Sequence, residues 1–252
     1  AIKKSTQQLF VLGTEQSKAN KIAADLSYTI ASVMNNAQVV IVDGPADYEK
    51  NKTEINAFVK NGGKAILNEW PNGDYEIESN KFNIQSTIMG NYYFANISNE
   101  VLTSSTLKPK DLFMWYDKSK DYIQPILYSV IKAPNFKPLA TSGLCNFAGE
   151  DPAGYLATGS FKYGKGQFIV NTISLAGRIK ENPAGIDFLK TILKNQGVHS
   201  ALFLPLFIKG HFHGFLGFGN IAQEKHWTSE EISFLKTVVL SLANAIEIHQ
   251  KT

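Results

Sequence analysis

Covalent catalysis on an α/β fold needs a nucleophile held on a tight turn after a strand, with a histidine close enough to act as its base. The chain has one cysteine, Cys145, and its first histidine is His199. The turn after the third predicted strand carries Asn68, Glu69 and Trp70, none of which is a thiol. We therefore predict that Cys145 is a partly buried free thiol, and we assign no catalytic residue.

Four acidic residues are candidates for acid–base chemistry on a glycosidic bond: Glu69, Asp74, Asp111 and Asp117. That chemistry needs two carboxylates roughly 5–10 Å apart, one on each side of the bond. Glu69 follows a strand, at the edge where doubly wound sheets bind ligands. A solvated or capping role is far more common for such residues, and we predict that role for all four.

His211 and His213 form a His-x-His pair, which on a regular strand would point both imidazoles to one face, as a metal site requires. No third ligand is evident nearby in sequence, and His226 is the only further candidate. The Gly-Lys-Gly segment at 164–166 lacks the spacing of a P-loop and is typical of a hairpin turn. The sequence thus predicts neither a metal nor a cofactor.

Two aromatic clusters, NYYF at 91–94 and FMWY at 113–116, could stack on sugar rings. Aromatic side chains also bury large areas in protein cores. We predict a core role for both clusters.

The composition is that of a globular domain, with 44% apolar and 19% charged residues among 252. The net charge of +3 comes from scattered lysines and not from a run of like charges, so nucleic-acid binding is not indicated. No apolar stretch approaches 18 residues, and we predict no membrane span.

The N-terminal segment predicts a β-α-β-α-β unit. Strands are predicted at 8–13, 38–44 and 64–70, with helices at 16–34 and before the Gly-Gly stop at 62–63. The run QVVIVDG (38–44) is typical of a strand buried on both faces. Short links between these elements require right-handed crossovers. The predicted fold class is therefore α/β, with a flavodoxin-like parallel sheet and helices on both faces.

The middle of the chain predicts shorter elements. They are a hairpin over 74–88, an irregular stretch over 99–137 with one helix around 122–131, a strand at 138–143, a hairpin over 155–173, and a helix that begins near Pro183.

The C-terminal segment has a different pattern of predicted elements: two strongly apolar strands followed by one long helix. Two strands, ALFLPLFI and HFHGFLGFGN, meet at Lys209-Gly210, and both carry apolar residues on both faces. Thr228 and Glu231 have the spacing of a capping box that begins a long helix. One face of that helix is predicted to carry an apolar stripe made of Ile232, Leu235, Val238, Val239, Leu242 and Ile246.

Residues 1–193 resemble the glutamine-amidotransferase-like domain found toward the C-terminus of large β-galactosidase-type glycoside hydrolases. The resemblance is carried by VVIVDGPADYEKNKTEINAFVKNGGKAIL (39–67), LKPKDLFMWYDKSKDYIQPIL (107–127) and FKYGKGQFIVNTISLAGRIKENPAGIDFL (161–189). The catalytic acids of those hydrolases lie in a separate barrel domain, so the resemblance implies an accessory role beside a carbohydrate-active enzyme.

Residues 196–252 resemble the C-terminal half of a GAF domain, as found in sensor kinases. The resemblance is carried by NQGVHSALFLPLFIKGHFHGFLGFGN (195–220) and HWTSEEISFLKTVVLSLANAIE (226–247). We predict two domains, 1–193 and 194–252, joined inside a helix as a natural or engineered fusion. The GAF-like part would be a β-hairpin followed by a long C-terminal helix.

Three functions stay open at this point. The first is a non-catalytic structural or interaction module, with a homodimer formed through the C-terminal helix or an exposed sheet edge. The second is a small-ligand sensing domain, in which the GAF-like part supplies one wall of a pocket. The third and weakest is a hydrolase or amidotransferase, because the turn at Glu69 lacks a nucleophile.

Overall fold

The computed structural model describes residues 8–86, 94–142, 155–194, 200–220 and 227–249. Its contacts divide the chain into two compact units, Ala1–Lys194 and Asn195–Thr252.

The first unit alternates strands and helices as far as β4 and then consists mainly of strands, with a short 3-10 turn at Met34–Asn36. Its elements along the chain are β1 (Gln8–Leu12), α1 (Lys18–Leu26), β2 (Thr29–Ile30), β3 (Val39–Val42), α2 (Pro45–Lys60), β4 (Lys64–Asn68), β5 (Gly73–Ile77), β6 (Asn80–Ser86), β7 (Ala95–Ile97), α3 (Asn99–Thr103), β8 (Met114–Asp117), β9 (Tyr122–Pro125), β10 (Ser129–Lys132), β11 (Lys137–Ser142), β12 (Tyr155–Tyr163), β13 (Gly166–Asn171) and α4 (Pro183–Leu193).

One mixed sheet organises this unit. Within the described residues its strand order is β2-β1-β3-β4-β13-β12-β10-β6-β5, with β11 and β7 branching from β12. The first five strands are parallel to their neighbours, in the order typical of flavodoxin-like folds. From β12 onward the pairing is antiparallel. The predicted parallel sheet is therefore confirmed as the first half of a larger mixed sheet.

Strand β3 lies in the middle of the parallel part and is buried on both faces. Val39 and Ile41 belong to the apolar core that α1 and α4 cover. Val40 and Val42 belong to the opposite core, which α2 covers. The continuous apolar run was necessary because a strand between two helical layers has no solvent-facing side.

The hairpin β12–β13 turns at the Gly-Lys-Gly segment, as predicted. A Cβ at Gly166 would come within 2.1 Å of the Gly63 carbonyl oxygen and 2.3 Å of that of Val59. The turn lies against the C-terminus of α2, and the Lys165 N–H donates to the Lys60 carbonyl at 2.9 Å. These glycines allow a close backbone approach and form no phosphate cradle.

Two predicted helices are wrong in extent or in kind. Helix α1 ends at Leu26 because Ser27 adopts a left-handed cap with φ of 55°, and the predicted continuation to residue 34 contains β2 instead. The predicted helix at 122–131 is replaced by β9 and β10. Pro125 lacks an amide hydrogen and would break a helix there. The helix prediction gave weight to the spacing of apolar residues and not to this proline.

Lys64 begins β4 and is a buried cation, with 7% of its surface exposed. Its Nζ donates to the carbonyl oxygens of Ile192 at 3.0 Å and Lys194 at 2.6 Å. These carbonyls end α4, where backbone acceptors have no partner within the helix. Lys64 therefore anchors the segment at which the first unit ends.

The second unit consists of β14 (Ser200–Ile208), β15 (His211–Asn220) and α5 (Ser229–His249). The strands pair antiparallel around Lys209 and Gly210, as predicted. The capping box is confirmed in both directions, since Thr228 N–H donates to Glu231 Oε2 at 3.1 Å and Glu231 N–H donates to Thr228 Oγ1 at 3.2 Å. None of the helices in the described residues has the length and apolar character that a membrane span requires.

We expect Val40→Asp to abolish folding, because Val40 is fully buried and the new carboxylate would have no partner in the core. Val33→Asp is the matched control, since Val33 is 52% exposed and the same change there places the charge in water. Thermal unfolding followed by circular dichroism compares the two. A Val40→Asp protein that melts like the parent would show that β3 is not central.

Lys64 predicts a specific pH dependence. Burial lowers the pKa of Lys64 from 10.5 to about 8, against a raising effect of Glu100. The unfolded chain therefore binds more protons than the folded chain between these values, and this residue makes the free energy of unfolding rise with pH in that window. Burial also raises the pKa of Tyr48 to about 12, which lowers stability only above about pH 10.

Urea unfolding of the parent and of Lys64→Met separates the lysine from other groups. We expect the parent to gain on the order of 2 kcal/mol relative to the variant between about pH 8 and pH 10. Lys162→Met removes an exposed lysine and should leave the parent's profile unchanged. Parallel profiles for the parent and Lys64→Met would contradict the buried-cation interpretation.

Candidate functional site

The carboxyl ends of the parallel strands are linked by hydrogen bonds from α1. The Ser17 hydroxyl caps α1 by accepting from the Asn20 N–H at 3.1 Å. Asp43, directly after β3, accepts from the Ala19 N–H at 2.9 Å. Gly13 allows this approach, because a Cβ there would lie 2.7 Å from Ser17 Oγ.

Glu69 is the central residue of this edge. It follows β4 in a left-handed conformation with φ of 48°, which costs a non-glycine residue roughly 1–2 kcal/mol. Its side chain is 8% exposed, and Oε2 lies 3.0 Å from Lys18 Nζ. Oε1 accepts from the Leu175 N–H at 3.2 Å. The turn that would hold a nucleophile thus holds a paired, hydrogen-bonded carboxylate.

Buried amides below Glu69 fix the strand ends. Asn171 is fully buried at the end of β13, and its Nδ2 donates to Asn68 Oδ1 at 3.0 Å. The Thr158 hydroxyl of β12 donates to Asn171 Oδ1 at 2.7 Å. The Glu69 N–H donates to the Asn171 carbonyl at 2.7 Å. We refer to Asn68, Thr158 and Asn171 as the asparagine network.

A cavity of about 350 Å³ opens beside Glu69. Its wall includes an ion pair, hydroxyl groups, an amide and an aromatic ring. The residues that supply these groups are Lys18, Glu69, Asn72, Tyr128, Ser129 and Ser174. We call this space the carboxyl-edge cavity.

A larger depression of about 720 Å³ lies over the β5–β6 hairpin. Charged groups line it, but they already have partners: those of the hairpin pair with each other, and Lys132 Nζ lies 5.7 Å from the centroid of the Tyr155 ring. Lys81 Nζ lies 3.7 Å from Glu76 Oε2, and Asn83 Nδ2 donates to Asp74 Oδ1 at 2.9 Å. Its one left-handed lining residue among the described residues, Ser79 with φ of 66°, belongs to the tight turn of the β5–β6 hairpin. The depression does not lie at the carboxyl ends of the parallel strands, so the carboxyl-edge cavity is the better candidate site.

The other predicted acids have local hydrogen-bond roles. Asp74 accepts from Asn83, as above, and Asp111 accepts from the Lys108 N–H at 2.8 Å. Asp117 accepts from the Ser119 hydroxyl at 2.6 Å and from the Ser119 N–H at 2.9 Å. The hydrogen bond from the Ser119 hydroxyl is the main cause that lowers the pKa of Asp117.

The histidine pair does not have the geometry that the sequence predicts. A β-bulge shifts the register so that Leu206 pairs with Gly214 and Phe207 with Phe212, which leaves His213 as the extra residue. His211 and His213 are both exposed, and the alternation that would align them is interrupted. Within the described part of the chain, no three His, Cys, Asp or Glu residues gather as a metal site. Cys145 and His226 lie outside the described residues.

The second aromatic cluster is divided between core and surface. Trp115 is buried, while Phe113, Met114 and Tyr116 are 41%, 44% and 38% exposed. Phe113 stacks on Phe94 with ring centroids 4.2 Å apart. The predicted core role is therefore wrong for three of these four residues. Positions 91–93 of the first cluster lie outside the described residues.

Arg178 is a residue that sequence analysis missed. It is 4% exposed, and its guanidinium donates to the backbone carbonyls of Trp115, Gln124 and Pro125 at 2.6–3.0 Å. It thereby holds β8 and β9 together. Its position in the sequence carried no signal of burial, because its acceptors are backbone atoms far away along the chain.

The second unit has one covered face and one open face. Leu204 and Ile208 of β14 and Val239 and Ala243 of α5 are buried. On the open face Phe207, Phe212 and Phe215 are 51%, 53% and 65% exposed. The Phe212 ring contacts the other two, with its centroid 5.8 Å from that of Phe207 and 5.1 Å from that of Phe215. We call these three residues the phenylalanine face.

Helix α5 buries a narrower stripe than its sequence predicts. The predicted apolar stripe includes Val238 and Leu242, yet each is 41% exposed. Phe234 and Leu240 are 68% and 61% exposed. The hairpin has two strands and cannot cover the whole predicted stripe, so the second unit presents apolar surface on both its sheet and its helix.

Residues 157–246 match the family model described as GAF domain. The match begins within β12, earlier in the chain than the resemblance that starts at 195, and it ends within α5. No curated protein matches the chain.

Several solved structures of glycoside hydrolases are similar to the chain at low identity. The β-galactosidase from Bacillus circulans sp. alkalophilus is 14% identical over 71% of the chain and 30% of its own, with a TM-score of 0.41. The β-galactosidase from Rahnella sp. R3 is 14% identical over 75% and 31%, with a TM-score of 0.39. The exo-β-1,4-mannosidase from Opitutaceae bacterium strain TAV5 is 8% identical over 75% and 33%, with a TM-score of 0.38. The chain thus spans about a third of these proteins, and at these scores the likeness carries no functional argument.

The left-handed conformation of Glu69 predicts that glycine is more stable than alanine at this position, the opposite of their usual order in a helix. Glu69→Ala and Glu69→Gly both remove the contacts with Lys18 and Leu175, but only glycine adopts a φ of 48° without a Cβ clash. We expect Glu69→Gly to be more stable than Glu69→Ala by about 1 kcal/mol, measured by urea unfolding.

Glu49 provides the control for this comparison. It is an exposed residue in the second turn of α2, inside the helix, where glycine costs about 1 kcal/mol relative to alanine. The order of the two variants should therefore reverse at Glu49. The same order at both positions would contradict the left-handed conformation of Glu69.

Proposed function

We propose that the chain is a non-catalytic interaction module that self-associates through its second unit. The observation that carries this proposal is the phenylalanine face, in which the Phe212 ring contacts those of Phe207 and Phe215 and each ring is at least half exposed. Contiguous exposed apolar surface is typical of a protein interaction site.

Two features of the second unit favour a second copy as the partner. Strands β14 and β15 pair only with each other among the described residues, so both outer edges of the sheet are available for pairing. A two-stranded sheet is marginally stable in water without further strands or good helix packing. Covering a half-exposed phenylalanine contributes roughly 1 kcal/mol, and a two-fold contact would cover the same rings on both copies.

The geometry at Glu69 supports the absence of catalysis. A nucleophile at this turn would need a free thiol or hydroxyl beside a base. Here a carboxylate occupies the turn, and its oxygens are engaged by Lys18 and Leu175. The chain also has no histidine before His199. A role beside a carbohydrate-active enzyme stays a prediction of the sequence.

Small-ligand sensing is the second candidate function. The match of residues 157–246 to the GAF domain model favours it. It differs from the first proposal in needing a pocket in the GAF-like segment. A ligand that changes the protection of β12 or β13 from hydrogen exchange, without changing the oligomeric state, would favour sensing over self-association.

We expect the full chain to sediment as a concentration-dependent dimer. Replacing Phe207, Phe212 and Phe215 together by serine should weaken dimerisation by a factor of at least about 100, because each copy loses three apolar side chains from the contact. Sedimentation velocity over a range of protein concentrations measures the change.

Ile123→Ser is the control for the self-association test. Ile123 is 61% exposed on β9 in the first unit, so the change removes an exposed apolar side chain outside the phenylalanine face. A parent that stays monomeric, or a control that dissociates like the triple variant, would contradict the proposal. Hydrolysis of glutamine or of an aryl glycoside that disappears in Glu69→Gln would contradict the non-catalytic assignment.

A further inference from the structure

We propose that the carboxyl-edge cavity binds a small neutral molecule rich in hydroxyl groups, of the size of a monosaccharide or cyclitol. This site belongs to the first unit and does not depend on self-association of the second.

The position and size of the cavity indicate a small ligand. Ligands of open α/β sheets bind outside the carboxyl ends of the parallel strands, and Glu69 lies at the end of β4. The volume of about 350 Å³ lies near the lower limit of small-molecule sites, which run from roughly 300 to 1,000 Å³.

The charges on the wall favour a neutral ligand. Lys18 and Glu69 are the charged residues among the described residues that line the cavity, and they neutralise each other at 3.0 Å. An anion would lie beside the buried Glu69 carboxylate, which would repel it. Lys18 is 53% exposed and has three N–H donors, so it can maintain its ion pair with Glu69 and also donate a hydrogen bond to a neutral oxygen of the ligand.

The rest of the wall offers partners for hydroxyl groups. The Ser129 hydroxyl donates to Asn72 Oδ1 at 3.0 Å, and Asn72 Nδ2 donates to Ser86 Oγ at 2.6 Å, which fixes the Asn72 amide. Serine hydroxyls both donate and accept, as do the hydroxyls of a polyol. Tyr128 is 48% exposed and adds an aromatic surface against which the C–H groups of a saturated ring can pack.

The strain at Glu69 is consistent with a binding role. A left-handed non-glycine residue persists only where its surroundings impose it, and such residues concentrate at ligand sites. Here the conformation lets one carboxylate hold Lys18 on the cavity wall and the Leu175 N–H at the same time. Lys18 is thereby positioned before any ligand arrives.

The test is a titration of the ¹⁵N-labelled full chain with D-glucose, D-galactose and myo-inositol, followed through the indole N–H of Trp70, which also lines the cavity. We expect at least one of the three to bind with a millimolar dissociation constant. Tyr128→Ala and Lys18→Met should each weaken binding by about tenfold or more.

Matched variants distinguish the cavity from general surface effects. Tyr122→Ala removes a tyrosine that is 59% exposed on β9, and Lys21→Met removes an exposed lysine of α1. Both should bind as the parent does. Lys18→Met leaves Glu69 without its cation and can lose stability, so Tyr128→Ala carries the test if that protein unfolds.

Three results would overturn the proposal. The first is the absence of any shift with all three neutral probes. The second is binding of inorganic phosphate or gluconate alone, which would assign the cavity to anions. The third is binding that Tyr128→Ala and Tyr122→Ala affect equally, which would place the ligand elsewhere.

Discussion

The asparagine network is the constraint on which the carboxyl edge depends. Asn171 is fully buried, and buried amides must find hydrogen-bond partners or cost several kcal/mol. It finds them in Asn68, Thr158 and the Ile173 carbonyl, on three neighbouring segments of the sheet. These hydrogen bonds fix the ends of β4, β13 and β12 relative to one another. The Glu69 N–H bonds back to the Asn171 carbonyl, so the chain must turn sharply there and Glu69 takes its left-handed conformation. The Lys18 contact and the cavity wall follow from that turn.

The parts of the fold that could be predicted are those with local signals. The continuous apolar composition of Val39–Val42 predicts a buried strand. The spacing of Thr228 and Glu231 predicts the start of a helix. The hairpins at β5–β6, β12–β13 and β14–β15 follow from turn residues between apolar runs. Strands β8 to β10 were not predictable in this way. They are four residues each. Strands β8 and β9 pair with each other, but Arg178, which is distant in sequence, also bonds both of them, and β10 pairs with the distant strands β6 and β12.

In the candidate site, too, features with a local sequence signal could be predicted, and contacts between residues distant in sequence could not. The location of Glu69 at a strand end could be predicted, because it follows a buried strand. The predicted solvated or capping role is wrong, since its side chain is 8% exposed and paired with Lys18. Its partners could not be predicted, since Lys18 lies three strands earlier in the chain and Leu175 follows β13. The phenylalanine face was only half predictable. Apolar residues on both faces of β14 and β15 indicated that each face needs cover, but the bulge at His213 and the narrow buried stripe of α5 depend on packing.

The central claim is that the first unit holds its own core while the second unit is completed by another copy of the chain. Hydrogen–deuterium exchange of the full chain, measured by mass spectrometry over a wide range of protein concentration, tests this claim most directly. The account predicts that amides of β3 and β4 are protected equally at all concentrations, whereas protection of β14, β15 and α5 increases as concentration rises. Protection of β14, β15 and α5 that is strong at the lowest concentration and does not change would contradict it.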